Sequence, residues 1–127
     1  MSAHTVLLAE DDRFLRRAME VSLKKRGLNI LVAADGQEAI DMLQTARPDL
    51  ILLDLLMPRR TGLEVLQSLR ANPETRDLRV LILSNSSKEL EMHEATNLGV
   101  AGYWIKANLS LQQLGDQIEA LLNAEPS

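Results

Sequence analysis

Leu50-Ile51-Leu52-Leu53-Asp54 is an unbroken aliphatic run that ends on a carboxylate. Aliphatic residues at every position, with no polar alternation, read as a strand covered on both faces, as in a parallel sheet between two layers of helices. The carboxyl ends of such strands are where open parallel sheets bind ligands, so Asp54 stands at a functional edge. A second run, Thr5-Val6-Leu7-Leu8-Ala9, ends on Glu10-Asp11-Asp12. Neighbouring strands would bring these acids together. At about 5 Å and an effective dielectric near 20, each like-charged pair costs roughly 3 kcal/mol. Such a cluster calls for a cation, or for chemical modification of one acid.

On either side of this run, β-type segments recur, so that the set falls at about 5–9, 29–33, 50–54, 79–83 and 101–105, separated by helical patterns. Strict alternation of strand and helix predicts an α/β fold: a five-stranded parallel sheet with right-handed crossovers and helices on both faces. Residues 12–26 carry a polar stripe of Arg13, Arg16, Arg17, Glu20 and Lys24, with Phe14, Leu15, Ala18 and Val21 facing away from it and Gly27 as the C-cap. Ala39, Ile40 and Leu43 supply the apolar face of a second helix; Val65, Leu66 and Leu69 supply that of a third. A fourth helical pattern, about 87–98, has only Leu90, Met92, Ala95 and Leu98 as anchors. Sparse burial suits either a plain surface helix or a moving part. Leu111, Leu114, Ile118, Leu121 and Leu122 line the fifth. Ser86…Glu89 and Ser110…Gln113 match the capping-box spacing at the starts of the last two.

Composition narrows the function classes. The chain has 127 residues, enough for a single domain, with a core about 4–122 and 123–127 as a tail or the start of a linker. Aromatic residues make up only 2%, so aliphatic side chains must fill the core. A net charge of −4 argues against a direct nucleic-acid surface. There are no cysteines, which removes thiolate metal sites and fits a cytoplasmic location. No apolar run approaches membrane-spanning length, so no membrane contact is expected. His4 and His93 are not spaced as a metal pair.

The strand ends therefore deliver Glu10, Asp11 and Asp12, then Asp54, then Ser84 and finally Lys106 to one edge. Taken singly, each has an ordinary explanation. Asp12 reads as a helix N-cap, Asp54 fits a cap or loop residue equally well, and a lone lysine is most often a solvated charge. The conjunction is what is informative. Hard oxygen donors without His or Cys favour magnesium. A carboxylate can attack phosphorus to form an aspartyl-phosphate, and phosphoryl transfer needs a metal and a cation to hold the oxygens.

With those residues placed, the chain resembles the receiver domain of two-component response regulators over roughly residues 4–122. The segments that carry the resemblance are Val6–Asp12, Pro48–Pro58, Thr61-Gly62, Leu81–Ser84 and Gly99–Lys106. It implies a flavodoxin-like strand order 2-1-3-4-5. It also implies roles: Asp54 as phosphoacceptor, with Ser84 and Lys106 completing the reactive set; Glu10, Asp11, Asp54 and the backbone carbonyl of Leu56 around magnesium; Ser84 and Tyr103 as the switch pair. A histidine kinase or histidine phosphotransfer protein would supply the phosphoryl group. The surface of the fourth helix, fifth strand and fifth helix would then act on an output protein or a fused output domain. No external substrate is expected, only phosphorylation and dephosphorylation at Asp54.

The sequence departs from the family pattern at three positions. Ala107 follows the lysine where proline is usual. A cis non-proline bond costs about 2.5–4 kcal/mol, which predicts a trans bond and a rearranged loop 106–110. Asn85 is larger than the small residue usual after the hydroxyl, and Thr61 stands where an acidic or polar residue usually precedes Gly62. Ala107 and Asn85 motivate an alternative, a receiver fold acting as an interaction module with little or no phosphorylation. A flavin or dinucleotide binder fits less well, because Glu10-Asp11-Asp12 would repel phosphate without a metal. A phosphatase acting on external substrates lacks a second acid two residues after Asp54.

Overall fold

A computed structural model of the chain describes residues 4–84, 96–108 and 110–123. Five parallel strands, β1 (Thr5–Ala9), β2 (Asn29–Ala33), β3 (Leu50–Asp54), β4 (Val80–Ser84) and β5 (Gly102–Ile105), form one sheet in the order β2-β1-β3-β4-β5. Among the described residues four helices accompany it: α1 (Arg13–Lys24), α2 (Gly36–Met42), α3 (Gly62–Ala71) and α4 (Leu111–Asn123). The last of these is the fifth helical pattern of the sequence. The fourth pattern, about 87–98, lies mostly outside the described residues, as do Asn85, the Ser86…Glu89 pair and His93; of it, Thr96 and Asn97 are helical and the anchor Leu98 packs, partly buried, against the core. The first three strands begin and end where the apolar runs do. β4 and β5 each start one residue later than the runs suggested.

Alternation along the strands splits the core in two. Leu7, Ala9, Ile51, Leu53 and Ile82 face Ala39 of α2, Leu43 at its C-cap, and Val65, Leu66 and Leu69 of α3. Val6, Leu8, Leu50, Leu52, Leu81 and Leu83 face Met19 and Leu23 of α1 and Leu114, Ile118 and Leu122 of α4. Each helix presents one apolar stripe and must bury it against the sheet, which is why both faces of the sheet are covered.

The helix ends obey their local signals. Asp12 caps α1, accepting from the N–H groups of Phe14 and Leu15; at the other end the C-cap is Lys25 rather than the expected Gly27, which lies two residues further on at φ 85 and reverses the chain toward β2. The Ser110 hydroxyl accepts from the Gln113 N–H at the start of α4. Thr61, one of the departures from the family pattern, closes a reciprocal capping box with Glu64 and fixes the start of α3.

One expectation fails on α1. Phe14, Ala18 and Val21 do not face the core; Phe14 is 85% exposed, and Met19 and Leu23 are the buried positions. The helix packs between the sheet and α4 along a narrower stripe than the sequence pattern suggested, and the first-turn aromatic falls outside it. Phe14, Val21 and Leu111 instead line an open apolar groove between α1 and α4.

Candidate functional site

Parallel strands that share a register end at one edge. Ala9 of β1 pairs with Leu53 of β3, and Asp54 pairs with Leu83 of β4, so Glu10, Asp54 and Ser84 emerge side by side. Ser84 in turn pairs with Ile105 of β5, which puts Lys106 one residue beyond the same edge. Glu10, Asp54 and Ser84 are all buried. Such burial of polar groups is costly unless each is partnered.

The partners are specific. Lys106 Nζ donates to Asp54 Oδ2 at 3.0 Å and lies 2.5 Å from Glu10 Oε1. Glu10 Oε2 accepts from the Asp12 N–H at 3.0 Å. Asp54 Oδ1 accepts from the Leu56 N–H at 3.2 Å. Arg16 Nη1 donates to the Glu10 carbonyl at 2.9 Å and, more weakly, to that of Asp11 at 3.4 Å. It fixes the turn that carries the acids, a role its place in the polar stripe of α1 did not reveal.

Glu10, Asp11 and Asp54 each offer a carboxylate oxygen, and these oxygens lie within 4.8 Å of one another. Lys106 offsets one of three potential charges, so a divalent cation would complete the balance. The oxygen-only donor set and the exposed position of Asp11 fit magnesium, which keeps several waters. A cleft of about 400 Å³ opens here, lined by the acids together with Leu15, Leu56, Lys106 and Ala107. Leu56 is half-exposed at its rim. Leu15 and Ala107, which sequence reasoning did not place at the site, form its walls on the α1 and β5 sides.

Burial, with the charge of Glu10 added, pushes the Asp54 carboxyl up to about 7, against the opposing pull of Lys106. Burial by itself would lower the Lys106 ammonium, but its contacts with Glu10 and Asp54 outweigh that and hold it above its usual value. Lys106 is therefore charged throughout the neutral range.

The shift at Asp54 has a consequence for stability. An acid whose folded-state pKa is raised binds its proton more tightly folded than unfolded. Its contribution is present below the window from the ordinary value of 3.8 to about 7 and is lost as pH rises through it. Metal-free protein is expected to melt at progressively lower temperature from pH 5 to pH 8. Asp54→Asn should flatten that dependence and melt about 5 °C higher than wild type at pH 8. Thermal denaturation in chelator checks this; a variant that tracks the wild-type pH profile would contradict it.

Two switch candidates sit on the last strands. The Tyr103 side chain is half-buried against the α2/α3 side of the core, and its hydroxyl is 3.2 Å from the Thr96 hydroxyl. Ser84 closes β4 beside Asp54. The segment after Lys106 forms a short 3₁₀ turn, Lys106–Asn108, and the Lys106–Ala107 bond is trans, since no cis peptide occurs among the described residues. The sequence anticipated the trans bond. Lys106 still reaches both acids without the usual proline after it.

The family model for the response regulator receiver domain matches residues 6–119. The chain belongs to that family. Its receiver domain is 35% identical over 117 residues to the response regulator MprA of Mycolicibacterium vanbaalenii, covering 92% of this chain and 49% of MprA. The chain thus spans about half the length of the curated relatives it matches. Among solved structures, it resembles the chemotaxis response regulator CheY4 of Vibrio cholerae at 26% identity and a TM-score of 0.86, covering 94% of this chain and 99% of that one. It also resembles the phosphorylated cyanobacterial phytochrome response regulator RcpA at 29% identity and a TM-score of 0.82, covering 94% and 91%. The strand order of the receiver family, expected from the sequence motifs, is the order found here. No helix among the described residues is long and apolar enough to cross a membrane.

Proposed function

We infer that this receiver domain accepts a phosphoryl group on Asp54 from a histidine kinase or histidine phosphotransfer protein, with magnesium held by Glu10, Asp11, Asp54 and the Leu56 carbonyl. The observation that carries this reading is the buried contact of Lys106 with Asp54 at 3.0 Å, inside a cluster of three acids that open onto one cleft.

In the proposed reaction an Asp54 oxygen attacks phosphorus of a phosphohistidine. The new O–P bond forms as the P–N bond breaks, and the imidazole nitrogen leaves with the bonding pair and takes a proton. Bound magnesium supplies charge neutralisation for the incoming phosphoryl oxygens. Lys106 holds a phosphoryl oxygen, exchanging part of its contact with Asp54 for it. Leu56 N–H keeps the other Asp54 oxygen oriented, so the attacking oxygen is the one on the Lys106 side. Ser84 and Tyr103 then respond to the new charge, and the face of β5 and α4, with the 85–95 segment, controls an output protein or a fused output domain.

The donor must bring its imidazole into the cleft. The exposed Phe14 and Val21, with Leu111, line an apolar groove, and Phe14 is the chain neighbour of Leu15, which lines the cleft. That neighbourhood favours this groove as the donor's seat.

The test uses beryllofluoride, a phosphoryl mimic, with Trp104 on β5 as reporter. A saturable fluorescence change that needs both magnesium and beryllofluoride is expected. No response at millimolar magnesium would favour the second reading, an interaction module without phosphorylation.

A further inference from the structure

We propose that Asp35 and Arg59 form a latch that holds the β3–α3 loop in register with Asp54, making both positioning residues for the phosphoacceptor site. The inference rests on the magnesium and Asp54 reading given above and adds a control point outside the cleft.

The starting observation is backbone strain. Arg59 has φ 67, in the region that L side chains rarely adopt, and among the described residues no other non-glycine does so. The Arg60 N–H donates to the Pro58 carbonyl at 2.7 Å, so Arg59 is the centre of a tight three-residue γ-turn. Glycine would occupy such a turn without penalty. A strained residue persists only where its surroundings over-determine it.

Here the surroundings do so through α2. Arg59 Nε donates to Asp35 Oδ2 at 2.9 Å and Nη2 to Oδ1 at 3.1 Å, a two-pronged pair. Asp35 is itself fixed, because its Oδ1 also accepts from the Glu38 N–H at 2.8 Å as the cap of α2. The next residue brings the two segments flush: a Cβ on Gly36 would lie 1.9 Å from the Arg60 carbonyl oxygen. At its other side the loop begins on the Leu56 N–H contact to Asp54 and closes with the Gly62 N–H donating to the Leu55 carbonyl at 2.9 Å. The middle of the loop is thus pinned to α2 while its start orients the phosphoacceptor and carries Leu56. A half-exposed ion pair adds little to global stability, so what it contributes here is placement of the loop.

Two substitutions separate latch from fold. Arg59→Gly removes the pair and also the strain. Asp35→Ser removes the charge but keeps a residue able to cap α2. Calorimetric titration of the full chain with magnesium alone is expected to give about 5-fold weaker binding for each variant, and no further loss in the double variant. Amide exchange over residues 56–60 should accelerate in metal-free protein, while the melting temperature stays within about 2 °C of wild type. Wild-type magnesium affinity in both single variants would overturn the latch and leave the Asp54 reading intact. A parallel fall in melting temperature and affinity would also overturn it, since that is the signature of a structural role. Failure of the wild-type chain to bind magnesium would instead remove the underlying reading, and the latch with it.

Discussion

Asp54→Asn is expected to lose labelling by acetyl phosphate by on the order of 100-fold or more, with the fold retained. The substitution is isosteric but leaves a neutral carboxamide with no anionic oxygen to attack phosphorus. It also removes half of the charge that Lys106 meets. Loss of the fold is not the cause, because the carboxylate is destabilising where it sits: burial and Glu10 both oppose its ionisation. Circular dichroism should therefore match wild type, and the variant should melt at the same temperature or higher at neutral pH. Intact-mass measurement after incubation with acetyl phosphate and magnesium gives the result directly. A variant labelled at the wild-type rate would place the phosphoryl group on another residue. The small-molecule donor matters, because it bypasses the groove at Phe14 and tests Asp54 chemistry without protein docking.

Gly62→Ala carries the second large effect, on stability. A Cβ at Gly62 would meet the Asp54 carbonyl oxygen at 2.1 Å and the Leu55 Cα at 2.7 Å. Both are backbone atoms of the strand end that holds the site, so no side chain can swing away to make room. The expected loss is about 2–4 kcal/mol, or roughly 10 °C in melting temperature for a domain of this size. The variant should also label more slowly per folded molecule, because relief of the clash displaces Asp54 itself. Gly27→Ala is the informative comparison. Gly27 has open space around it but φ 85, so its cost is conformational, about 1 kcal/mol. Chemical denaturation of the two variants side by side distinguishes steric from conformational loss. Equal midpoints for the two would show that the close approach of Gly62 to Asp54 is not a constraint.

Much of the architecture was legible because its signals are local. Three of the five strands have the limits of their apolar runs, and Asp12 and Ser110 begin helices through the chemistry that marks them in the sequence. The acids, hydroxyl and lysine could be assigned to one edge because parallel strands all end there. The error on α1 has a physical origin as well. A helical apolar stripe predicts which residues share a face, but how much of that face is covered depends on where the neighbouring helix lies. α4 covers Met19 and Leu23 and leaves Phe14 open. The capping box of Thr61 and Glu64 is equally local, a three-residue spacing that comparison with the family pattern at Thr61 does not reveal.

Periodicity and capping act over a few residues, so the β–α alternation, the two aliphatic faces of the sheet and the carboxylate at the end of β3 follow from local sequence. Which groups touch follows from long-range packing. Lys106 lies 52 positions from Asp54, and Arg59 lies 24 from Asp35, yet each pair is within hydrogen-bonding distance. No local pattern encodes such contacts. They depend on the strand order, the register and the path of each loop, and these are set by how the whole chain buries its apolar surface.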